Sequence, residues 1–89
     1  MSAEEFERYK KLVSNLQSNL SIPEKIEMYG LWCVATQDKC TQKQPSRANL
    51  VRYSKWAAWK KYEHLGQKKA RELFVEKAKT IVNKYPSRL

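Results

Sequence analysis

One short stretch of the chain, Lys55-Trp-Ala-Ala-Trp59, combines a cation with two indole rings. Arg52 precedes Lys55 by three residues, so on a helix the two cations lie on one face beside the tryptophans. Lysine and arginine bind phosphate through charge-assisted hydrogen bonds, and an indole offers a flat apolar surface. The stretch therefore favours an amphipathic anion with a phosphate-rich head and an apolar tail. It equally predicts that at least one of the tryptophans belongs to the hydrophobic core.

Side chains for catalysis or metal binding are few. His64 is the single histidine and falls in a predicted turn without an evident partner. The two cysteines are Cys33 and Cys40, and Cys33 lies on an apolar helix face, where a small core residue is commoner than a nucleophile. The N-terminal stretch has no secretory signal, so both thiols are expected to be reduced. We expect no enzyme, no cofactor and no metal site.

Charge is distributed unevenly along the 89 residues, whose formal net charge is +9. Residues 1–38 hold four Lys/Arg and six Asp/Glu, a net charge of −2, whereas residues 39–89 hold fourteen and three, a net charge of +11. This excess implies an anionic partner, which is nucleic acid, an acidic membrane or a phosphorylated small molecule. Nucleic acid is not expected, because the Lys-Trp stretch lacks the Arg/Asn/Gln pattern that reads base edges.

Two helices are predicted in the first 36 residues. The first, over about residues 3–16, is opened by a capping box of Ser2 and Glu5 and has one apolar face. That face consists of Phe6, Tyr9, Val13 and Leu16. A second capping box, Ser21-Ile-Pro-Glu24, opens a helix that runs to about Thr36. Gly30 in its middle indicates close packing of a neighbouring helix.

Residues 37–50 show no helical period and contain Pro45, so we expect a long loop, which in a small domain is often functional. A third helix is predicted over about 51–63, and a fourth from about 67 to 85, where Pro86 ends it. The fourth helix has one face of 3.6-residue period, which consists of Ala70, Leu73/Phe74, Lys77/Ala78, Ile81 and Tyr85. The predicted fold class is all-α. Four helices with one long connection, between the second and third, fit a compact four-helix bundle that forms a single domain over residues 1–89.

Two motifs resemble those of a known family. The segment Met28-Tyr-Gly-Leu-Trp-Cys-Val-Ala-Thr36 is similar to Y-x-x-Y-K-Q-A-T, and Lys55-Trp-Ala-Ala-Trp59 is similar to K-W-x-A-W. Both motifs, at this separation, are those of the acyl-CoA-binding proteins, small cytosolic carriers of long-chain acyl-CoA esters. The resemblance extends from Phe6 to Tyr85. It implies an up-down-down-up bundle and a monomeric, non-enzymatic carrier that transports or buffers long-chain fatty-acyl-CoA.

The resemblance also implies roles for single residues of this chain. Tyr29 would contact the adenine and the ribose 3′-phosphate, and Lys55 would pair with that phosphate. Trp56 would lie near the ligand, and Trp59 would belong to the core.

Two positions of the implied ligand site depart from the family pattern. Cys33 stands where the family has a phosphate-pairing lysine, and Phe74 stands where it has a binding tyrosine, so Phe74 can stack but not donate. Losing a charged contact costs about 1.5–3 kcal/mol and a neutral one about 0.5–1.5 kcal/mol. We expect weaker binding of the head group unless other cations compensate. Arg52 is the first candidate, followed by the loop residues Lys39, Lys43 and Arg47.

Alternatives to the carrier stay open at this point. The chain could be a degenerate family member that serves as a protein- or membrane-interaction module, or, less favoured, a basic nucleic-acid binder. Contacts with membranes or with acyl-CoA-using enzymes are expected to be transient. The expected location is cytoplasmic. Ser87-Arg88-Leu89 resembles the S-K-L peroxisomal address, which makes a peroxisome-type organelle the second expectation.

Overall fold

The computed structural model describes residues 3–85, and this part of the chain contains four α-helices. They are α1 (Ala3–Asn15), α2 (Ile22–Gln37), α3 (Leu50–Tyr62) and α4 (Gly66–Lys84). Short 3-10 turns follow α1 and α3, and an irregular loop over 38–49 joins α2 to α3. The predicted all-α class and long connection are confirmed. The cap at Ser2, the stop at Pro86 and the tripeptide Ser87-Arg88-Leu89 lie outside the described residues.

Side-chain caps fix the starts of α2 and α3. The Ser21 hydroxyl accepts a hydrogen bond from the Glu24 N–H at 3.3 Å, and the Glu24 carboxylate accepts one from the Ser21 N–H at 2.8 Å. This confirms the predicted capping box. Asn49 caps α3, because its side chain accepts from the Arg52 N–H at 3.3 Å, so α3 begins at Leu50. Gly66 has φ +79°, a conformation that favours glycine, and its position opens α4.

α4 lies between α1 and α2 and packs against both. The rings of Phe6 and Phe74 are 5.2 Å apart, and the Lys79 ammonium lies 5.8 Å from the centroid of the Tyr9 ring. Residue numbers rise together along these contacts, so α1 and α4 run in the same direction.

α2 runs against α4. Glu24, at the start of α2, accepts a hydrogen bond from the Tyr85 hydroxyl at 3.0 Å, just beyond the end of α4. The Lys84 ammonium lies 3.3 Å from the other oxygen of the same carboxylate. These contacts clamp the two helix ends together.

α3 also packs against α2, and the residues that follow the two helices meet, because the Cys40 N–H donates to the Glu63 carboxylate. Gly30 allows this packing, because a Cβ at its position would lie 2.8 Å from the backbone carbonyl carbon and oxygen of Ala58. Near the ends of both helices, the Trp59 indole donates to the Asp38 carbonyl at 2.9 Å. The helix directions therefore give the expected up-down-down-up topology, and the close packing predicted at Gly30 is confirmed.

A single apolar cluster connects the helices. The predicted faces of α1 and α4 enter it, and Trp59 is only 1% exposed, as the resemblance implied. The largest fully buried side chains of the described residues are Trp59, Leu31, Val34, Val75 and Cys33. No helix within residues 3–85 is both long and apolar enough to cross a membrane.

Candidate ligand-binding site

The first candidate cleft lies between α2, the loop and α3, and we call it the α2–α3 cleft. Its volume is about 520 Å³. Four of the predicted site residues line it, together with four residues that were not among the predicted site residues. The lining residues are Tyr29, Gln42, Asn49, Val51, Arg52, Lys55, Trp56 and Trp59.

The second candidate cleft, the α1–α2 cleft, has a volume of about 320 Å³. It forms because α1 and α2 both pack on α4 and leave a gap between them. Aromatic and aliphatic side chains line its floor, and three lysines stand among its lining residues. The lining residues are Lys10, Val13, Ser14, Gln17, Lys25, Met28, Tyr29, Trp32, Lys55 and Phe74.

Tyr29 and Lys55 line both clefts and therefore mark their junction. The Lys55 ammonium lies 5.1 Å from the centroid of the Tyr29 ring, a cation–π contact that orients it. The Lys55 side chain is exposed, and no ion pair with an acidic group of the described residues occupies its charge. The structure thus holds a cation at the junction that is accessible to an anion.

The two indoles of α3 fix the loop that covers the α2–α3 cleft. The Trp56 N–H donates to the Gln42 carbonyl at 3.0 Å, and the Trp59 N–H donates to the Asp38 carbonyl at 2.9 Å. Trp56 stays partly exposed, whereas Trp59 is buried. A loop without helical period is thereby held over the cleft by two side chains of α3.

Cys33 is 0% exposed and lines neither of the two clefts, although it was placed among the ligand-binding residues. Burial raises the pKa of its thiol, so the thiol stays neutral near pH 7. An interaction with the Cys33 thiol, reinforced by burial, raises the pKa of Tyr29. Cys33 therefore neighbours Tyr29 but does not itself line a cleft. The interpretation of Cys33 as a small core residue agrees with this position.

The compensating cations proposed from the sequence separate into two groups. Arg52 lines the α2–α3 cleft with Lys55. Lys39, Lys43 and Arg47 line neither cleft, and the Arg47 guanidinium lies 5.7 Å from the centroid of the Tyr53 ring instead. Of these four candidates, only Arg52 is placed to replace the cation that is missing at position 33.

Sequence reasoning missed most of the α1–α2 cleft. Lys10, Ser14 and Gln17 recur at spacings of four and three, so they share a helix face, but such a polar stripe is usually solvated. The neighbouring apolar position Val13 was the available signal that the stripe borders a cleft. Gln42 lies in the loop, where no period predicts which side chain faces α3.

Chemically, the two clefts can hold an anion and the apolar or aromatic groups joined to it. Within residues 3–85 no group of three or more His, Cys, Asp and Glu side chains is placed to hold a metal ion. The one polar side-chain atom that is buried without a partner in the described part is the Trp32 indole nitrogen, beside the α1–α2 cleft. The fold and the clefts are those of a small helical protein with room for an amphipathic anion.

Comparison with known proteins identifies the class. The sequence model of the family described as Acyl CoA binding protein matches residues 3–78, so the chain belongs to the acyl-CoA-binding protein family. It is similar to a protein of the genus Hypsibius that is assigned to the acyl-CoA-binding proteins, with 36% identity over 85 residues, which covers 94% of this chain and 96% of the relative. Acyl-CoA-binding protein 2 of Saccharomyces pastorianus is 29% identical over 87 residues, covering 98% of this chain and all of the relative.

The solved structures give the same result. The crystal structure of Oryza sativa Acyl-CoA-Binding Protein 2 superposes with a TM-score of 0.86 and 31% sequence identity, covering 91% of this chain and 88% of that one. Longer plant relatives contain the domain as one part. The chain spans 20% of Acyl-CoA-binding domain-containing protein 1 of Arabidopsis thaliana, at 29% identity over 72 residues.

Proposed function

We propose that this protein reversibly binds long-chain fatty-acyl-CoA esters and transports or buffers them without catalysing a reaction. The observation that carries the proposal is Lys55, an accessible cation held over the Tyr29 ring where the two clefts meet. Acyl-CoA is an amphipathic anion with a nucleotide at one end and an apolar chain at the other. When a phosphate of the ligand binds Lys55 at the junction, one cleft is free for the nucleotide and the other for the apolar chain.

The α1–α2 cleft suits the adenine. Phe74 and Trp32 offer ring surfaces on which a base can stack, and such stacking contributes about 1–3 kcal/mol per base. Ser14 and Gln17 can bond to the polar edge of the base. Phe74 lacks the hydroxyl of the family tyrosine, so its contribution is stacking alone.

The junction suits the 3′-phosphate. Lys55 supplies the charge, and the Tyr29 hydroxyl, which is protonated near pH 7 as in any tyrosine, can donate its hydrogen. Arg52 lines the cleft three residues before Lys55 and provides a second cation where Cys33 provides none. The family uses a lysine of its second helix at this site. This chain lacks that lysine and would bind the phosphate with Tyr29, Lys55 and Arg52 instead.

The α2–α3 cleft suits the remaining arm and the start of the acyl chain. Trp56 is partly exposed there and Val51 is 62% exposed, so both offer apolar surface to a chain leaving the cleft. Burial of apolar surface contributes about 25 cal/mol per Å². The thioester and the first methylenes of the chain would thus be kept from water.

Calorimetric titration with palmitoyl-CoA, CoA and palmitate tests the proposal. A carrier of the intact ester should bind palmitoyl-CoA at least about a hundredfold more tightly than either part, because head and tail then bind together. Equal affinity for palmitoyl-CoA and palmitate would show that the clefts do not bind the head group, and the proposal would be wrong.

Nucleic acid is the competing anionic ligand for a chain of net charge +9. Acyl-CoA binding should weaken only modestly between 50 and 200 mM salt. Only a few charged contacts contribute to its free energy, and burial of the apolar tail supplies the rest. Binding to 6–10 nucleic-acid phosphates would weaken roughly 10³–10⁵-fold over that range. A tight, steeply salt-dependent complex with RNA, and none with acyl-CoA, would replace the carrier by a nucleic-acid binder.

A cytoplasmic location stays a prediction, with a peroxisome-type organelle as the alternative through Ser87-Arg88-Leu89. Fusing the last ten residues to a fluorescent reporter tests it. Diffuse fluorescence that does not change when Leu89 is deleted would rule out the organelle.

A further inference from the structure

Two neighbouring aliphatic side chains stand out from the first turn of α3. Leu50 is 71% exposed and Val51 is 62% exposed, and no other pair of adjacent large apolar residues in the described part is exposed to this degree. The Asn49 cap fixes the turn that carries them. They are therefore held outward by a capped helix end, not by an irregular segment. We call Leu50 and Val51 the α3 tip.

The surroundings of the tip carry charge of one sign. Residues 39–62 contain seven Lys/Arg and no Asp or Glu. Arg47 and Arg52 flank the tip in sequence, and both are exposed. The tip is also the N-terminal end of α3, where the helix dipole adds partial positive charge. An apolar point on a segment whose charged residues are all basic is complementary to a layer whose surface is anionic and whose interior is apolar.

We propose that the α3 tip inserts into anionic lipid bilayers, with Leu50 and Val51 in the acyl region and the surrounding cations on the lipid head groups. The α2–α3 cleft opens beside the tip, because Val51 belongs to both. Resting on the proposed function, this docking lets an acyl chain pass between bilayer and cleft without crossing water. An acidic protein surface would satisfy the cations but would not require two aliphatic side chains at their centre.

Co-sedimentation with vesicles tests the docking. The ligand-free protein is mixed with vesicles of phosphatidylcholine alone, or with about a third phosphatidylserine, in low salt. Binding should require phosphatidylserine and weaken as salt rises, since each basic residue near the surface contributes about a fivefold gain in affinity. Equal binding to both vesicles, or to neither, would overturn the proposal.

The variant Leu50→Ser tests the apolar part. It should reduce vesicle binding about tenfold, because one buried aliphatic side chain is lost from the bilayer. Ile22→Ser is the matched control, since Ile22 is 70% exposed but lies at the start of α2 and outside the 39–62 segment. If the control loses as much binding as Leu50→Ser, or if Leu50→Ser binds like wild type, the tip is not the inserted element.

Titration with palmitoyl-CoA in solution separates this inference from the proposed function. Leu50 lines neither cleft, so Leu50→Ser should bind palmitoyl-CoA as wild type does. Circular dichroism confirms that the variant is folded. If the wild-type protein binds palmitoyl-CoA but does not bind vesicles, the docking proposal is wrong and the carrier proposal stands. Vesicle binding that depends on Leu50, in a protein that does not bind palmitoyl-CoA, would support the docking and refute the carrier.

Discussion

α3 and α4 lie on opposite sides of α2 and differ in what they bury. α4 packs against two helices and buries five residues, Ala70, Phe74, Val75, Ala78 and Ile81. α3 packs chiefly against α2 and buries only Ala58 and Trp59. The rest of α3 is free to present cations and apolar side chains to a ligand. α4 therefore contributes more of the buried core, whereas α3 contributes Arg52, Lys55 and Trp56 to the candidate clefts.

Hydrogen-bonded carboxylates also tie the chain together on both sides of α2. On the α4 side, Glu24 accepts from the Tyr85 hydroxyl and joins two helix ends. On the α3 side, Glu63 accepts from the Cys40 N–H at 3.1 Å and joins the loop to the end of α3. The first tie holds the bundle, whereas the second holds the loop over the α2–α3 cleft. Substitutions on the two sides should therefore affect different measurements.

Trp59→Ala should have the largest effect, because Trp59 is the main contact by which α3 enters the core. Truncation of a buried tryptophan costs about 3–5 kcal/mol, so the free energy of unfolding measured in urea should fall by about that amount. Trp56→Ala is the matched control on the same helix. Because the Trp56 ring is partly exposed, its truncation should lower the free energy of unfolding by less than half as much. Equal losses in the two variants would contradict the assignment of Trp59 alone to the core.

Lys55→Ala should instead leave stability nearly unchanged and weaken ligand binding. Losing a charged hydrogen bond costs about 1.5–3 kcal/mol, which is about tenfold or more in the Kd for palmitoyl-CoA. The variant should also cease to distinguish palmitoyl-CoA from its 3′-dephospho form in calorimetry.

Lys61→Ala controls for general attraction by the basic surface. It removes the same charge from the same helix, and Lys61 lines neither the α1–α2 nor the α2–α3 cleft. Similar losses of affinity in both variants would show that Lys55 acts through net charge and not as the phosphate ligand.

Gly30→Ala should lower both the stability and the ligand affinity, because it pushes α3 away from α2. A Cβ would lie 2.8 Å from backbone atoms of Ala58, which cannot move aside as a flexible side chain does. Overpacking costs about 1–3 kcal/mol, more than the gain of about 1 kcal/mol in helix propensity. Since the clash is with backbone, we expect a cost in the upper part of that range, and therefore a net loss of up to about 2 kcal/mol in urea unfolding, with weaker palmitoyl-CoA binding.

Gly66→Ala distinguishes the steric effect from a backbone effect. Nothing lies within 4 Å of a Cβ at Gly66, but its φ is +79°. It should cost about 1 kcal/mol and leave ligand binding unchanged. Normal stability in Gly30→Ala would refute the close helix contact.

The sequence predicted the packed side of the molecule better than the binding side. The periodic apolar faces of α1 and α4 and the cap at Ser21 are local signals, and the structure confirms them. The motif at Lys55 also located the cation at the junction of the clefts. Both kinds of signal depend only on residues that are close together in the chain.

The remaining features depend on three-dimensional packing. The α1–α2 cleft exists because α1 and α2 both pack on α4, which no local pattern encodes. Cys33 was assigned to the ligand because of its place in the motif, yet packing in the folded chain buries it completely. Asp38 has φ +66°, a conformation that the residue type does not predict. Its carbonyl is thereby available to the Trp59 indole.

The contacts of Glu24 should make the stability of the fold depend on pH, an effect smaller than those above. The Ser21 N–H, helped by the Ser21 and Tyr85 hydroxyls and Lys84, lowers the pKa of Glu24 from 4.5 to about 2. A lowered pKa stabilises the fold at pH values above the unfolded pKa, and this stability is lost as the pH falls. The melting temperature should therefore decline between about pH 4.5 and 2.

Glu24→Gln tests this prediction, because glutamine cannot be protonated in that range. Its melting temperature, followed by circular dichroism, should be below that of wild type at pH 7 and should decline less in acid. Glu76→Gln makes the same charge change on an exposed position of α4 and should decline as wild type does. Glu63→Gln should loosen the loop. Its main effect should therefore be weaker palmitoyl-CoA binding, with only a small fall in the melting temperature. An unchanged acid profile in Glu24→Gln would show that the tie between α2 and α4 does not depend on the charge of Glu24.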